Sequence, residues 1–149
     1  MENFTAKGEK LGLKHLGNKS PYVYDDPQIG LLESVPSPFV ADSENKHKVV
    51  GTVHIEALEF TSLCPITGQP DFGKIMIDYR PNEKCVESKS LKLYLGAYRQ
   101  LGAFQESIVN KIANDLIELL QPVYLKVEVQ FTARGGITLT PRAEYQSVE

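Results

Sequence analysis

The chain changes its hydrophobic rhythm several times, and each change predicts an element. Val49 to Phe60 alternates loosely and is rich in β-branched residues, so it predicts a first strand. The next segment, Cys64-Pro65-Ile66-Thr67-Gly68-Gln69-Pro70-Asp71, carries two prolines and a glycine, which exclude regular structure. Lys74 to Tyr79 predicts a second strand, ended by Arg80-Pro81-Asn82. A rigid loop between two strands predicts an antiparallel pair.

Helical spacing follows. Leu91, Tyr94, Leu95 and Tyr98 recur at i, i+3, i+4 and i+7 within Ser90 to Gln100. Phe104, Ile108, Ile112, Leu116 and Leu119 form a longer stripe, joined by Val109 and Leu120, and Gly102 separates the two helices. Pro122 cannot sit in a helix interior, so the second helix ends near Leu120. Leu125, Val127, Val129 and Phe131 then alternate with Lys126, Glu128 and Gln130, the pattern of a half-buried strand. After Arg134-Gly135-Gly136, Ile137 to Thr140 predicts a short partner strand. The order strand, strand, helix, helix, strand, strand predicts an α+β unit with a four-stranded antiparallel sheet and two helices on one face. So few strands cannot close a barrel alone, and their exposed edges call for partners such as further copies of the chain.

Residues 1–46 lack this periodicity and hold Gly8, Gly12, Gly17, Gly30, Pro21, Pro27, Pro36 and Pro38. They read as an irregular arm before a single domain at 47–149, although Leu11, Leu13, Leu16, Tyr22, Tyr24, Leu31 and Leu32 are residues that pack. The total of 149 residues is one domain's length, and 42% hydrophobic with 23% charged residues is a folded composition. No apolar run reaches the roughly 20 residues of a membrane span, and Met1 to Gly12 lacks a signal peptide's apolar stretch. The expected location is the cytoplasm. A net charge of −3 argues against direct nucleic-acid binding. Two cysteines, Cys64 and Cys85, are too few for a disulfide framework or a four-cysteine zinc site.

Candidate chemistry centres on Cys64, beside a proline and seven residues before Asp71. Cysteine can bond covalently to an electrophilic carbon, and a nearby acid can protonate the receiving atom. Taken alone, the pair reads equally as a small buried residue and a turn former. In Glu87-Ser88-Lys89-Ser90-Leu91-Lys92, Ser88 or Ser90 is a candidate helix cap, and Lys89 and Lys92 lie three apart near the helix start. Cations there oppose the helix dipole, so the pair points either to a bound anion or to a plain solvated start. Arg134-Gly135-Gly136 suits a phosphate contact or a simple hairpin turn. No GxGxxG or GxxxxGK[ST] occurs, and His15, His47 and His54 show no metal-ligand spacing with the cysteines.

Together the segments resemble one family. Phe60-Thr61-Ser62-Leu63-Cys64-Pro65 with Gly68-Gln69-Pro70-Asp71-Phe72 resembles the catalytic loop of the 7-cyano-7-deazaguanine reductases (QueF) of queuosine biosynthesis. Glu87 to Tyr94 matches that family's signature segment, and Phe131-Thr132-Ala133-Arg134-Gly135-Gly136 its late Arg-Gly-Gly element. The resemblance runs from about residue 48 to 141, touches Leu16-Gly17-Asn18, and is of the short, single-module type. It implies a tunnelling fold (T-fold) whose copies form a barrel, with pentameric rings stacked in pairs and sites between subunits. It implies reduction of a nitrile to an aminomethyl group by two NADPH, in a tRNA-modification pathway that acts on a free base. By resemblance, Cys64 forms a covalent thioimide and Asp71 supplies the proton. Val86, Glu87, Ser88, Gln105 and Glu106 fall at substrate positions, Glu106 reading the guanine edge. Lys89, Lys92 and Arg134 are the candidates for the NADPH phosphates.

One departure stands out: the family has Phe-His-Glu where this chain has Phe104-Gln105-Glu106. Glutamine hydrogen-bonds but carries no proton between steps. Two further readings therefore stand beside nitrile reduction. One is an enzyme that forms the same thioimide and passes it to ammonia, giving an amidine. The other is a weakly active deazapurine-binding variant.

Overall fold

The computed structural model describes residues 12–40 and 44–148; Gly8, Leu11 and the rest of the opening stretch lie outside them. In chain order the elements are β1 (Ser34–Pro36), β2 (Val53–Leu63), β3 (Pro70–Arg80), β4 (Lys84–Val86), α1 (Ser88–Gly96), α2 (Gln105–Leu120), β5 (Tyr124–Phe131) and β6 (Arg142–Gln146). The architecture is α+β. Four strands make one antiparallel sheet in the order β2-β3-β5-β6, and β1 and β4 form a separate antiparallel pair.

The sheet's two faces follow from strand alternation. Ile75 pairs with Val129, Ile77 with Val127 and Tyr79 with Leu125, and all six are buried beneath the helices. From α1 come Leu91, Tyr94 and Leu95, and from α2 Ile108, Ile112, Leu116 and Leu120, with Tyr98 beside them in the same core. The intervening residues face away and, Met76 apart, are polar or charged. There His54 meets Asp78 at 2.6 Å, Lys74 meets Glu56 at 2.8 Å, and Arg142 meets Glu128 at 3.0 Å.

β2 explains why its alternation looked loose. Ala57 pairs with Ile75, but Phe60 pairs with Gly73, so Leu58 and Glu59 together oppose Lys74 in a bulge. Val53, Ile55 and Ala57 lie opposite the core-facing Tyr79, Ile77 and Ile75, whereas beyond the bulge Phe60 and Ser62 take that side.

The helices sit where the stripes place them. α2 ends at Leu120, with Gln121 left-handed at φ 46° before Pro122. α1 starts at Ser88, and its cap is neither serine: the Glu87 carboxylate accepts the main-chain N–H groups of Lys89 and Ser90, both at 2.8 Å.

The last strand is a correction. It is Arg142–Gln146, not Ile137–Thr140. Ala143 and Tyr145 are half-buried against the core while Ile137 and Leu139 are 69% and 45% exposed. The latter pair has strand propensity but no core to cover. Residues 34–36 of the arm also form strand, tied to the body by Ser34 opposite Val86 and Pro36 opposite Lys84. Among the described residues no helix is long and apolar enough to cross a membrane.

Candidate active site

Cys64 follows the last residue of β2, at the start of a tight loop. Its N–H donates to the Gln69 carbonyl at 2.8 Å, and its carbonyl accepts from Gly68 N–H at 2.9 Å. Gly68 has φ +68°, a value that favours glycine. The closed loop turns donors towards the sulfur. The Thr67 hydroxyl, the main-chain N–H groups of Thr67 and Ile66, and the Arg134 guanidinium bring the thiol down to about 6. These donors stabilise the anion, so at neutral pH the group is mostly thiolate, the nucleophilic form.

Asp71 stands on β3 directly opposite Ser62, with its side chain only 3% exposed. Arg134 Nε lies 3.0 Å from Asp71 Oδ1, and its Nη2 donates to Oδ2 at 3.5 Å. The hairpin beyond β5 aims this arginine. Arg134 and Ile137 exchange N–H···O bonds of 3.0 and 3.1 Å around Gly135 and Gly136, whose φ values of +60° and +77° require the two glycines.

The N-terminus of α2 is strapped to the same loop. Leu63 donates to the Leu101 carbonyl at 3.0 Å and accepts from Ala103 at 3.1 Å. Gly102 permits this approach, since a Cβ there would sit 3.3 Å from Pro65 Cα. Glu106 is exposed in the first turn of α2, and Gln105 is buried. Among the described residues, Ser62 Oγ and Gln105 Oε1 are buried without a hydrogen-bond partner. Two orphaned oxygens at one end of the sheet are polar positions a ligand can satisfy.

The signature segment lies elsewhere on the chain. Val86, Ser88 and Lys92 line a groove of about 890 Å³ between β2 and α1, together with Tyr22, Tyr24 and Leu91. Lys92 Nζ lies 6.0 Å from the Tyr22 ring centre. Lys89 Nζ donates to the carbonyls of His15 and Asn18, and the Glu33 carboxylate fixes the same turn through the N–H groups of Lys14 and His15. No hydrogen bond or ion pair among the described residues joins Lys89 or Lys92 to Cys64, Asp71 or Arg134.

The structure thus brings Asp71 and Arg134 together near the Cys64 loop, and places Gln105 and Glu106 in the first turn of α2, whose lead-in is bonded to Leu63. It groups Val86, Glu87, Ser88, Lys89 and Lys92 at a second place. Sequence reasoning missed Thr67 as a donor, the Asp71–Arg134 pair and the orphaned Ser62. The Cys-Pro-Ile-Thr-Gly order was the available signal for Thr67, since a glycine there closes the turn.

The profile of the QueF-like protein family matches residues 70–149. The chain is 48% identical over 136 residues to the NADPH-dependent 7-cyano-7-deazaguanine reductase of Helicobacter pylori strain G27, covering 91% of this chain and 86% of that one. It is 46% identical over 147 residues to the protein so named in Streptococcus thermophilus, covering 97% and 79%. Among solved structures, the archaeosine synthase QueF-Like in its apo form superposes with a TM-score of 0.60 at 21% identity, over 66% of this chain and 96% of that one, which shows a shared fold. The profile match over more than half of the chain, and such identity over most of it, place the chain in the QueF-like protein family.

Proposed function

We propose that the protein reduces the nitrile of 7-cyano-7-deazaguanine to an aminomethyl group, using NADPH, as a cytoplasmic step of queuosine biosynthesis. The observation that carries this reading is the tight loop closed on Cys64 by its bonds to Gln69 and Gly68, with the buried Asp71 paired to Arg134 at 3.0 Å.

Cys64 Sγ adds to the nitrile carbon, forming a C–S bond, while a proton taken up from solvent is passed to the nitrogen through the Asp71 carboxyl, and a thioimide results. NADPH, when bound, supplies the two hydrides that the nitrile carbon needs to reach the amine. The sulfur leaves as thiolate once the carbon has been reduced to the imine, and its donor cradle receives it. The nitrogen takes up further protons, so one nitrile, two NADPH and two protons give one amine. Glu106 reads the guanine edge, its carboxylate accepting from the ring N–H and the exocyclic amine. Gln105 and Ser62 offer their unpartnered oxygens to the bound base.

The residues fit the cofactor's charge. The N–H groups at the start of α1 are occupied by Glu87, so phosphate recognition falls to the side chains of Lys89 and Lys92. Glu87 shapes this site by holding the helix start, and Val86 and Ser88 line the groove for the substrate.

The two groups of residues belong together across a subunit boundary in this proposal. β2 and β6 are the sheet's two edges, and pairing them between copies closes a barrel of the tunnelling type. Pentameric rings, stacked as decamers, are the assembly we assign, and residues 47–149 form its repeating domain after the arm of 1–46.

The test is intact-mass measurement after mixing with 7-cyano-7-deazaguanine, then NADPH addition with its oxidation and the product followed. An adduct lost in Cys64→Ala, and amine formed with NADPH consumption, is expected. No adduct on the wild type overturns the covalent route. An adduct without NADPH oxidation overturns reduction and favours transfer to ammonia.

A further inference from the structure

Arg134 does not stand with the lysines of the groove. Its fork is turned back over the sheet to the Asp71 carboxylate, with Nε at 3.0 Å and Nη2 at 3.5 Å, and the same guanidinium favours the charged form of Cys64. We propose that Arg134 is a positioning residue, with one guanidinium aligning the Asp71 carboxylate and holding the Cys64 sulfur as an anion before any cofactor arrives. This deepens the nitrile-reductase reading and rests on Cys64 as its nucleophile.

Three features carry it. The carboxylate is almost wholly buried, and a buried charge needs a partner, which among the described residues is this arginine. The hairpin is built to deliver that partner. Consecutive left-handed Gly135 and Gly136 close a two-residue turn whose first residue is Arg134 itself. The charge also falls where it is needed, between a thiolate and a carboxylate that would otherwise repel each other. At the loop end of the surrounding elements the charged groups are Asp71 on β3, Arg134 on the hairpin and Glu106 in the first turn of α2. Of these only Arg134 favours the anion, and its guanidinium is among the causes that bring the thiol down.

A lysine preserves the charge but not the fork, which separates the two roles. The experiment alkylates Cys64 with iodoacetamide across a pH series, without nitrile or NADPH, and reads that peptide by mass spectrometry. In Arg134→Ala the midpoint is expected to rise by about one pH unit, a roughly tenfold slower reaction on the acid side. Arg134→Lys should recover most of that shift while turnover stays low, because Asp71 loses its paired contact. The acid limb of kcat/KM should move with the alkylation midpoint. An unmoved midpoint in Arg134→Ala overturns the inference, as does a variant whose KM for NADPH alone changes. If the alanine variant does not fold, Arg134→Gln is read in the same way. A wild-type protein that alkylates as described but never adds to the nitrile overturns the reduction and leaves the role of Arg134 standing.

Discussion

The Glu87 carboxylate holds the main-chain N–H of Lys89 at 2.8 Å, so an acidic residue fixes the helix start from which a basic one projects. Its other oxygen takes Ser90 N–H at the same distance, and Glu87 is 5% exposed. Glu87→Ala removes a cap and leaves donors unmet. The expected loss is about 1–2 kcal/mol in urea unfolding, and Glu87→Asp should restore part of it.

The thiol of Cys64 titrates near 6, below its ordinary 9.0, because Thr67 and the loop amides bind the charged form. Alkylation should therefore rise as pH climbs through about 6 and level off above it. Thr67→Val removes the largest of these contributions and should move the midpoint upward, towards 9.0. The pH dependence of iodoacetamide modification measures this directly, and an unmoved midpoint would refute the role of the hydroxyl.

If Lys92 meets a cofactor phosphate, Lys92→Ala should raise KM for NADPH about tenfold, the loss of one charge-assisted contact. KM for the nitrile should stay close to wild type. Steady-state kinetics with each substrate varied in turn decides this, and equal changes in both constants would count against a phosphate contact.

Ile112 is fully buried in the middle of α2. Ile112→Ala leaves a cavity beneath the sheet and should cost about 2–5 kcal/mol by denaturant titration. Thiol alkylation at Cys64 should keep its midpoint in that variant, because the donor loop lies outside the helix.

Much of this was legible in the chain because two periods dominate it. The stripe from Phe104 to Leu120 gave α2 to within a residue, and the alternation from Leu125 to Phe131 gave β5. Where the rhythm failed, a specific physical cause lay behind it. Ile137 to Thr140 has the residue types of a strand, yet the half-buried side chains belong to Ala143 and Tyr145. The cap of α1 fell to Glu87, whose longer side chain reaches two amides that a serine would reach singly. Cys64, Asp71 and Arg134 were each visible as types, but only the fold shows that residues so distant share one guanidinium.

The bulge at Leu58 and Glu59 governs the parity of everything after it. Before it, odd-numbered residues of β2 turn to the helices; after it, even-numbered ones do, among them Ser62 and, by the same count, Cys64. Deleting one of the two residues would leave the strand as apolar and as long for practical purposes. It would also straighten the ladder, since a single residue opposite Lys74 lets the pairing run unbroken from Ala57/Ile75 to Phe60/Gly73, with Ser62 still opposite Asp71. The extra residue is thus a bend and a twist placed just ahead of the reactive loop, in a stretch that holds none of its reactive groups.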